Sequence, residues 1–180
     1  MTVEIFIQSP RAPSGRSARL APRRKTGRAA LTAVDVRSIR LLLQEVCERM
    51  DIADGAWTIR ILSNAKMRRL HRQFLDIDTS TDVLTFDLSH SLHPPHPSDG
   101  KLLLDTAIGI DVAARQSRSR AVPIRHEVLL YAIHSLLHVQ GYNDRTPAAA
   151  KRMHGREDAL LTELGIGPVY HANPVGGARR

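Results

Sequence analysis

The sequence predicts an α+β fold: one mixed β-sheet of about four strands packed with about five helices, and a candidate metal site on the central helix. Three observations predict it. Short alternating apolar runs and longer runs of helical period both occur, without the strict strand–helix alternation of a parallel sheet. The 180 residues, 42% of them hydrophobic, suffice to bury one core. The most apolar helical stretch, ending at Gly141, carries two histidines four residues apart.

Taken in order, Val3 to Gln8 alternates and reads as a strand. Val34 to Met50 has the spacing of an amphipathic helix with Asp35 near its start, and Cys47 falls in its apolar pattern with Leu42, Leu43 and Val46 as core filler. Ala56 to Leu62, with Trp57, Ile59 and Ile61 alternating against Thr58 and Arg60, is a second strand. Asn64 suits the N-cap of a helix through Met67, Leu70, His71 and Phe74. Thr81 to Leu88 is a third strand and Leu102 to Ile110 a fourth. Between them lies a loop with His90, His93 and His96 among prolines, read as solvated residues. Asp111 starts a helix to about Arg120, and a last helix runs from about Pro147 to Leu164, stopped by Gly165. Residues 1–172 are expected to form one domain with a basic flexible insertion at about 10–30, and 173–180 a disordered tail.

Net charge is +8, from 26 Lys+Arg against 18 Asp+Glu, an excess that favours a polyanionic partner such as nucleic acid. Arg11, Arg16, Arg19, Arg23, Arg24, Lys25 and Arg28 fall in one stretch without an acid, broken by prolines. It reads as a flexible loop for phosphate contact or as a solubilising insertion. One cysteine excludes an internal disulfide and suits a reducing compartment. No apolar run has the roughly 18 residues of a membrane span, and the first residues lack the basic start of a signal peptide. A cytoplasmic protein with no membrane partner is expected.

Pro123 to Gly141 reads as one central helix, with proline at the first helical position and glycine just past the end. It is apolar almost all round, as a buried helix is. His134 and His138 share one of its faces. Two buried imidazoles need partners: a metal ion would serve, and so would backbone or carboxylate groups in the core. Zinc-like ions take imidazole nitrogen and carboxylate oxygen, and a catalytic site keeps a position open for water. Gly141 allows the chain to turn and bring Asp144 within reach as a third ligand. Asn143 is the weaker neighbouring donor. His154 is held in reserve, and it and His126 read first as structural or exposed. Zinc proteases place a glutamate directly after the first histidine as general base. Ser135 stands there instead, so peptide hydrolysis lacks its proton acceptor. Phosphodiester hydrolysis relies more on the ion and on cationic clamps.

The segment His134-Ser135-Leu136-Leu137-His138-Val139-Gln140-Gly141-Tyr142-Asn143-Asp144 resembles the H-G-x-L-H-L-x-G-Y-D-H segment of the YbeY family of metal-dependent endoribonucleases, which act in ribosomal RNA maturation. Ser80-Thr81-Asp82-Val83-Leu84-Thr85-Phe86 is similar to that family's block ending P-T-D-V-L-S-F. The helix at Leu70–Leu75, the Asp105–Gly109 strand, Glu127 and the stretch Met153–Glu157 also fit, so the likeness covers roughly 56–165. The resemblance implies a single-strand-specific endoribonuclease acting in 16S rRNA 3′-end processing. It implies one divalent ion, zinc foremost, on His134, His138 and Asp144, with ribosomal precursor RNA and ribosome or small-subunit proteins as partners. Three positions depart from the pattern. Asp144 replaces the family's third histidine, and so would leave water on the ion less acidified. Ser135 replaces a glycine and is expected to crowd the cleft. Leu75 replaces an arginine associated with the active site, a role Arg72 one turn earlier could take. Arg23, Arg24, Lys25, Arg28 and Arg72 are the candidate RNA contacts. The alternatives are a non-catalytic ribosome-associated RNA-binding protein with a structural metal and, less favoured, a zinc peptidase.

Overall fold

The computed structural model describes residues 3–9, 30–89 and 101–171. Four strands, β1 (Glu4–Gln8), β2 (Gly55–Leu62), β3 (Val83–Asp87) and β4 (Leu102–Gly109), form a sheet of order β1-β2-β4-β3. β1 and β4 lie parallel to β2, and β3 closes the edge antiparallel to β4. Five helices accompany it: α1 (Ala33–Arg49), α2 (Asn64–Leu75), α3 (Ile110–Arg120), α4 (Ile124–Val139) and α5 (Pro147–Glu163). The α+β fold with one mixed sheet is therefore as the sequence predicts.

Period-2 alternation sends neighbouring side chains of each strand to opposite sides. One face of the sheet, through Trp57, Ile59, Leu104 and Ile108, joins the main core with α1, α4 and α5. The other face, through Leu84 and Ala107, meets Met67 of α2 in a smaller cluster. α4 is the central helix: Val128, Leu129, Ala132, Ile133, Leu136 and Leu137 are all fully buried. Where β2 begins beside β4, Gly55 has φ +138° and a Cβ would stand 2.0 Å from the Leu102 carbonyl oxygen, so only glycine fits.

Local capping departs from the sequence reading in three places. Ser63, not Asn64, is the N-cap of α2, and the Asn64 backbone N–H donates instead to the Asp111 carboxylate at 2.7 Å. Pro123 is the N-cap of α4 rather than its first helical residue. β3 starts at Val83 because Asp82 turns its carboxylate onto the Val83 N–H (2.9 Å) and the Thr81 hydroxyl (3.0 Å). The basic stretch with Arg23, Arg24, Lys25 and Arg28, the loop histidines His90, His93 and His96, and the tail from 173 lie outside the described residues. No described helix is long and apolar enough to cross a membrane.

Candidate metal centre

His134 and His138 both stand on one face of α4, and the loop that follows the helix returns beside them. Gly141 takes φ +88°. Its N–H bonds the His138 carbonyl (3.1 Å), and the Tyr142 N–H bonds that of Leu137 (3.0 Å). This left-handed turn sets the Tyr142 carbonyl against His138 Nδ1 (3.2 Å) and brings a carboxylate oxygen of Asp144 within 4.8 Å of imidazole nitrogens of both histidines. The three residues proposed as ligands from the sequence thus meet.

The tautomers follow from the partners. A carbonyl oxygen only accepts, so His138 Nδ1 carries the proton it donates to Tyr142. His134 Nδ1 lies 2.7 Å from Glu157 Oε1 and donates to that buried carboxylate. The two Nε2 atoms face each other 3.0 Å apart, a spacing that either one shared proton or a cation between them satisfies. When both Nε2 atoms are deprotonated, the two lone pairs repel at that distance and a cation between them relieves the repulsion. Two imidazole nitrogens on one tetrahedral ion, each about 2.0–2.1 Å from it, lie roughly 3.3–3.4 Å apart. Two imidazoles and a carboxylate, with an orienting carboxylate behind one histidine, form a group that could hold a metal ion. Burial works against a charge on His134, yet the hydrogen bond and charge of Glu157, backed by Asp82 and Asp144, hold its pKa above the ordinary 6.5.

Glu157 and His154 come from α5. Glu157 Oε2 accepts from His154 Nδ1 at 2.9 Å, so one carboxylate ties two imidazoles. His134, His154 and Glu157 form a second potential ligand group that shares His134 with the first. In this arrangement both Glu157 oxygens already accept hydrogen bonds from the imidazoles, the pattern of a supporting residue rather than a ligand. Sequence reading passed over Glu157 as part of a matching stretch. Its signal was the three-residue spacing from His154, which puts both on one face of α5.

These groups border a cavity of about 300 Å³ lined by Asp82, Arg120, His134, Asp144, Glu157 and Tyr170 among others. A slightly larger hollow of about 330 Å³ beside Val3, Cys47 and Ile52 lies elsewhere. Neither potential ligand group among the described residues is there. Ser135 does not crowd the cleft, contrary to the expectation. It is fully buried, and its hydroxyl lies 2.9 Å from that of Thr85 and 2.8 Å from that of Thr106. Thr106 in turn accepts from Trp57 Nε1 at 2.9 Å. Ser135 therefore stitches α4 to β3 and β4 on the side facing the sheet. Arg72 is on the exposed surface of α2, bound with Arg68 to Asp78, and does not line the cavity. Leu75 is likewise exposed.

Comparison with known proteins gives the family. The chain is 34% identical over 166 residues, 92% of its length, to the endoribonuclease YbeY of Anaeromyxobacter sp. strain Fw109-5, covering 73% of that protein. It is 33% identical over 138 residues to that of Chloroflexus aggregans, covering 74% of this chain and 90% of the relative. The solution structure of TM1509 from Thermotoga maritima shares the fold, with a TM-score of 0.52 and 17% identity over 97% of this chain and 99% of that one. The family model for endoribonuclease YbeY matches residues 27–165. The chain belongs to the YbeY endoribonuclease family.

Proposed function

We propose that this protein is a metal-dependent endoribonuclease that cuts single-stranded RNA, with ribosomal precursor RNA, at the 3′ end of 16S rRNA, as its substrate. His134, His138 and Asp144 hold one divalent ion, zinc or a close analogue. The observation that carries the reading is the convergence of the two Nε2 atoms, 3.0 Å apart and each with an acceptor on its Nδ1 side, with the Asp144 carboxylate beside them. When bound, such an ion supplies Lewis acidity toward a phosphodiester and its attacking water. The chain's own residues do the rest. Glu157 orients His134 by accepting a hydrogen bond at its Nδ1, which turns Nε2 toward the ion, while the Tyr142 carbonyl does the same for His138. Asp144 offsets part of the ion's charge. The net charge of +8 draws RNA toward the surface and makes binding salt-dependent. Family membership supports the reaction class, and a cytoplasmic setting with small-subunit proteins as partners fits it.

Elemental analysis tests the ion, and cleavage of a labelled single-stranded RNA tests the reaction. Wild type should carry one equivalent that His138→Ala loses, and wild type alone should cut. Asp144→Ala should lose cleavage with the fold intact. Metal-free wild type, or fully loaded protein that leaves both single-stranded and structured RNA uncut, would overturn the proposal. Global unfolding of Asp144→Ala would point to a structural ion instead.

A further inference from the structure

We propose that Arg120 is the side chain with which this protein grips a phosphate of its RNA, an inference that rests on the ribonuclease reading above. Arg120 ends α3. Ala121 follows in the left-handed region (φ 55°), and Pro123 leads straight into α4. This tight joint faces Arg120 toward Glu127, one turn into α4. Arg120 Nη1 donates to both Glu127 oxygens, at 2.9 and 2.7 Å, and the Glu127 side chain is fully buried. Burial raises the Glu127 pKa, and Arg120 partly offsets this.

The pair uses one nitrogen of the guanidinium. Nε and Nη2 form no hydrogen bond with any described residue, and no buried side-chain nitrogen or oxygen there lacks a partner. The Nε–Nη2 edge therefore reaches open space, and Arg120 lines the cavity shared with His134 and Asp144. That edge is the side-on fork that matches two oxygens of a phosphate. The other charged side chains lining the cavity include the carboxylates Asp82, Asp144 and Glu157. Among the described residues Arg120 is the permanent cation there.

The fork is also held in its plane. The guanidinium carbon lies 5.3 Å from the centroid of the Tyr170 ring. Tyr170 stacks on His154 with centroids 3.5 Å apart. Asp158 fixes that segment by accepting from the backbone N–H groups of Val169 (2.9 Å), Tyr170 (3.0 Å) and His171 (3.2 Å). A donor locked from two sides has little ordering left to do when a phosphate arrives. Three arginines of β2 and α2 are committed elsewhere, Arg60 to Asp105, and Arg68 and Arg72 to Asp78.

The test is single-turnover cleavage of a labelled single-stranded RNA by the zinc-loaded protein in excess, which separates half-saturating concentration from maximum rate. Removing Arg120 alone strands a buried carboxylate, so the informative variant is the compensated double Arg120→Gln/Glu127→Gln. Its half-saturating concentration should rise about tenfold or more. Its salt dependence should become shallower by about 0.7 of a logarithmic unit, with zinc content unchanged. Arg118→Gln, on the exposed side of α3, removes the same charge away from the cavity and should shift saturation far less. If the double variant does not fold, Arg120→Lys keeps the charge and the Glu127 contact but not the fork, and should weaken saturation several-fold. Equal shifts in the Arg118 and Arg120 variants, or no shift at Arg120, overturn the inference while the ribonuclease reading stands. Wild-type holoprotein that neither binds nor cuts RNA overturns both.

Discussion

Replacing Glu157 by glutamine removes one charge, changes almost nothing in volume, and isolates what that carboxylate does. Glu157 is 1% exposed and accepts two charge-assisted bonds, from His134 Nδ1 at 2.7 Å and His154 Nδ1 at 2.9 Å. Glutamine keeps an acceptor oxygen for His134. Its amide N–H then faces His154 Nδ1, so the His154 proton has to move to Nε2, a tautomer change that costs little. The fold should therefore survive. What is lost is the negative charge behind His134, which raises its basicity as a ligand. Substitutions of such supporting carboxylates lower metal affinity about 10–100-fold, which is roughly 1.4–2.7 kcal/mol. Glu157→Ala is the harsher contrast. It strands two buried N–H groups at about 1–3 kcal/mol each, a large share of the roughly 5–15 kcal/mol that holds a domain together. Competition for zinc against a chromophoric chelator at neutral pH measures the effect, with thermal melting of the metal-free proteins alongside. Wild-type zinc affinity in the glutamine variant would refute the orienting role. Zinc binding that survives Asp144→Ala but vanishes in Glu157→Gln would place the ion among His134, His154 and Glu157 instead.

Three further outcomes are expected. Thr32 and Asp35 form a reciprocal capping box at the start of α1, so Thr32→Ala should cost about 1 kcal/mol, read as a fall of roughly 2–4 °C in melting temperature. Burial pushes the Asp35 pKa up, but the Thr32 hydrogen bonds and Arg125 outweigh it and hold the pKa below the ordinary 3.8. A depressed carboxylate contributes stability above its unfolded value and loses it as pH falls through its folded value. The gap between wild type and variant should thus be full at pH 6 and narrow below pH 3.8, and a gap independent of pH would exclude the charged cap. Burial pushes the Cys47 thiol up to about 12, so a thiol reagent at pH 8 should label the native protein far more slowly than the unfolded chain; equal rates would contradict its burial. Ser135→Ala should destabilise by about 1–3 kcal/mol through the unpaired hydroxyls of Thr85 and Thr106. Because Ser135 faces the sheet, bound zinc should be unchanged, and a loss of metal would contradict that orientation.

What could be read from the sequence divides along local and non-local lines. His134 and His138 were legible because a four-residue spacing fixes a shared helix face whatever the rest of the chain does. The place of Asp144 beside them was legible because Gly141 ends the helix by a known local geometry and Asp144 follows only three positions later. Glu157, Arg120 and Tyr170 carried no comparable signal. Their place depends on how α3, α5 and the segment after α5 pack on α4, and no periodicity encodes that docking. The Ser135 misreading has the same origin. A helix that is apolar almost all round gives no stripe to say which side meets the sheet, so the residue beside a ligand was assumed to share the cleft. One turn angle decides otherwise. Consecutive helical residues point about 100° apart, and His134 facing the loop after α4 sends Ser135 toward β3 and β4. Arg72 erred by proximity in sequence in the same way: an acid six residues on, Asp78, claims its guanidinium at the surface before any cavity can. The cation that does line the cavity lies 45 residues beyond Leu75, the position where family resemblance located the gap, and it is held there by a carboxylate on a different helix.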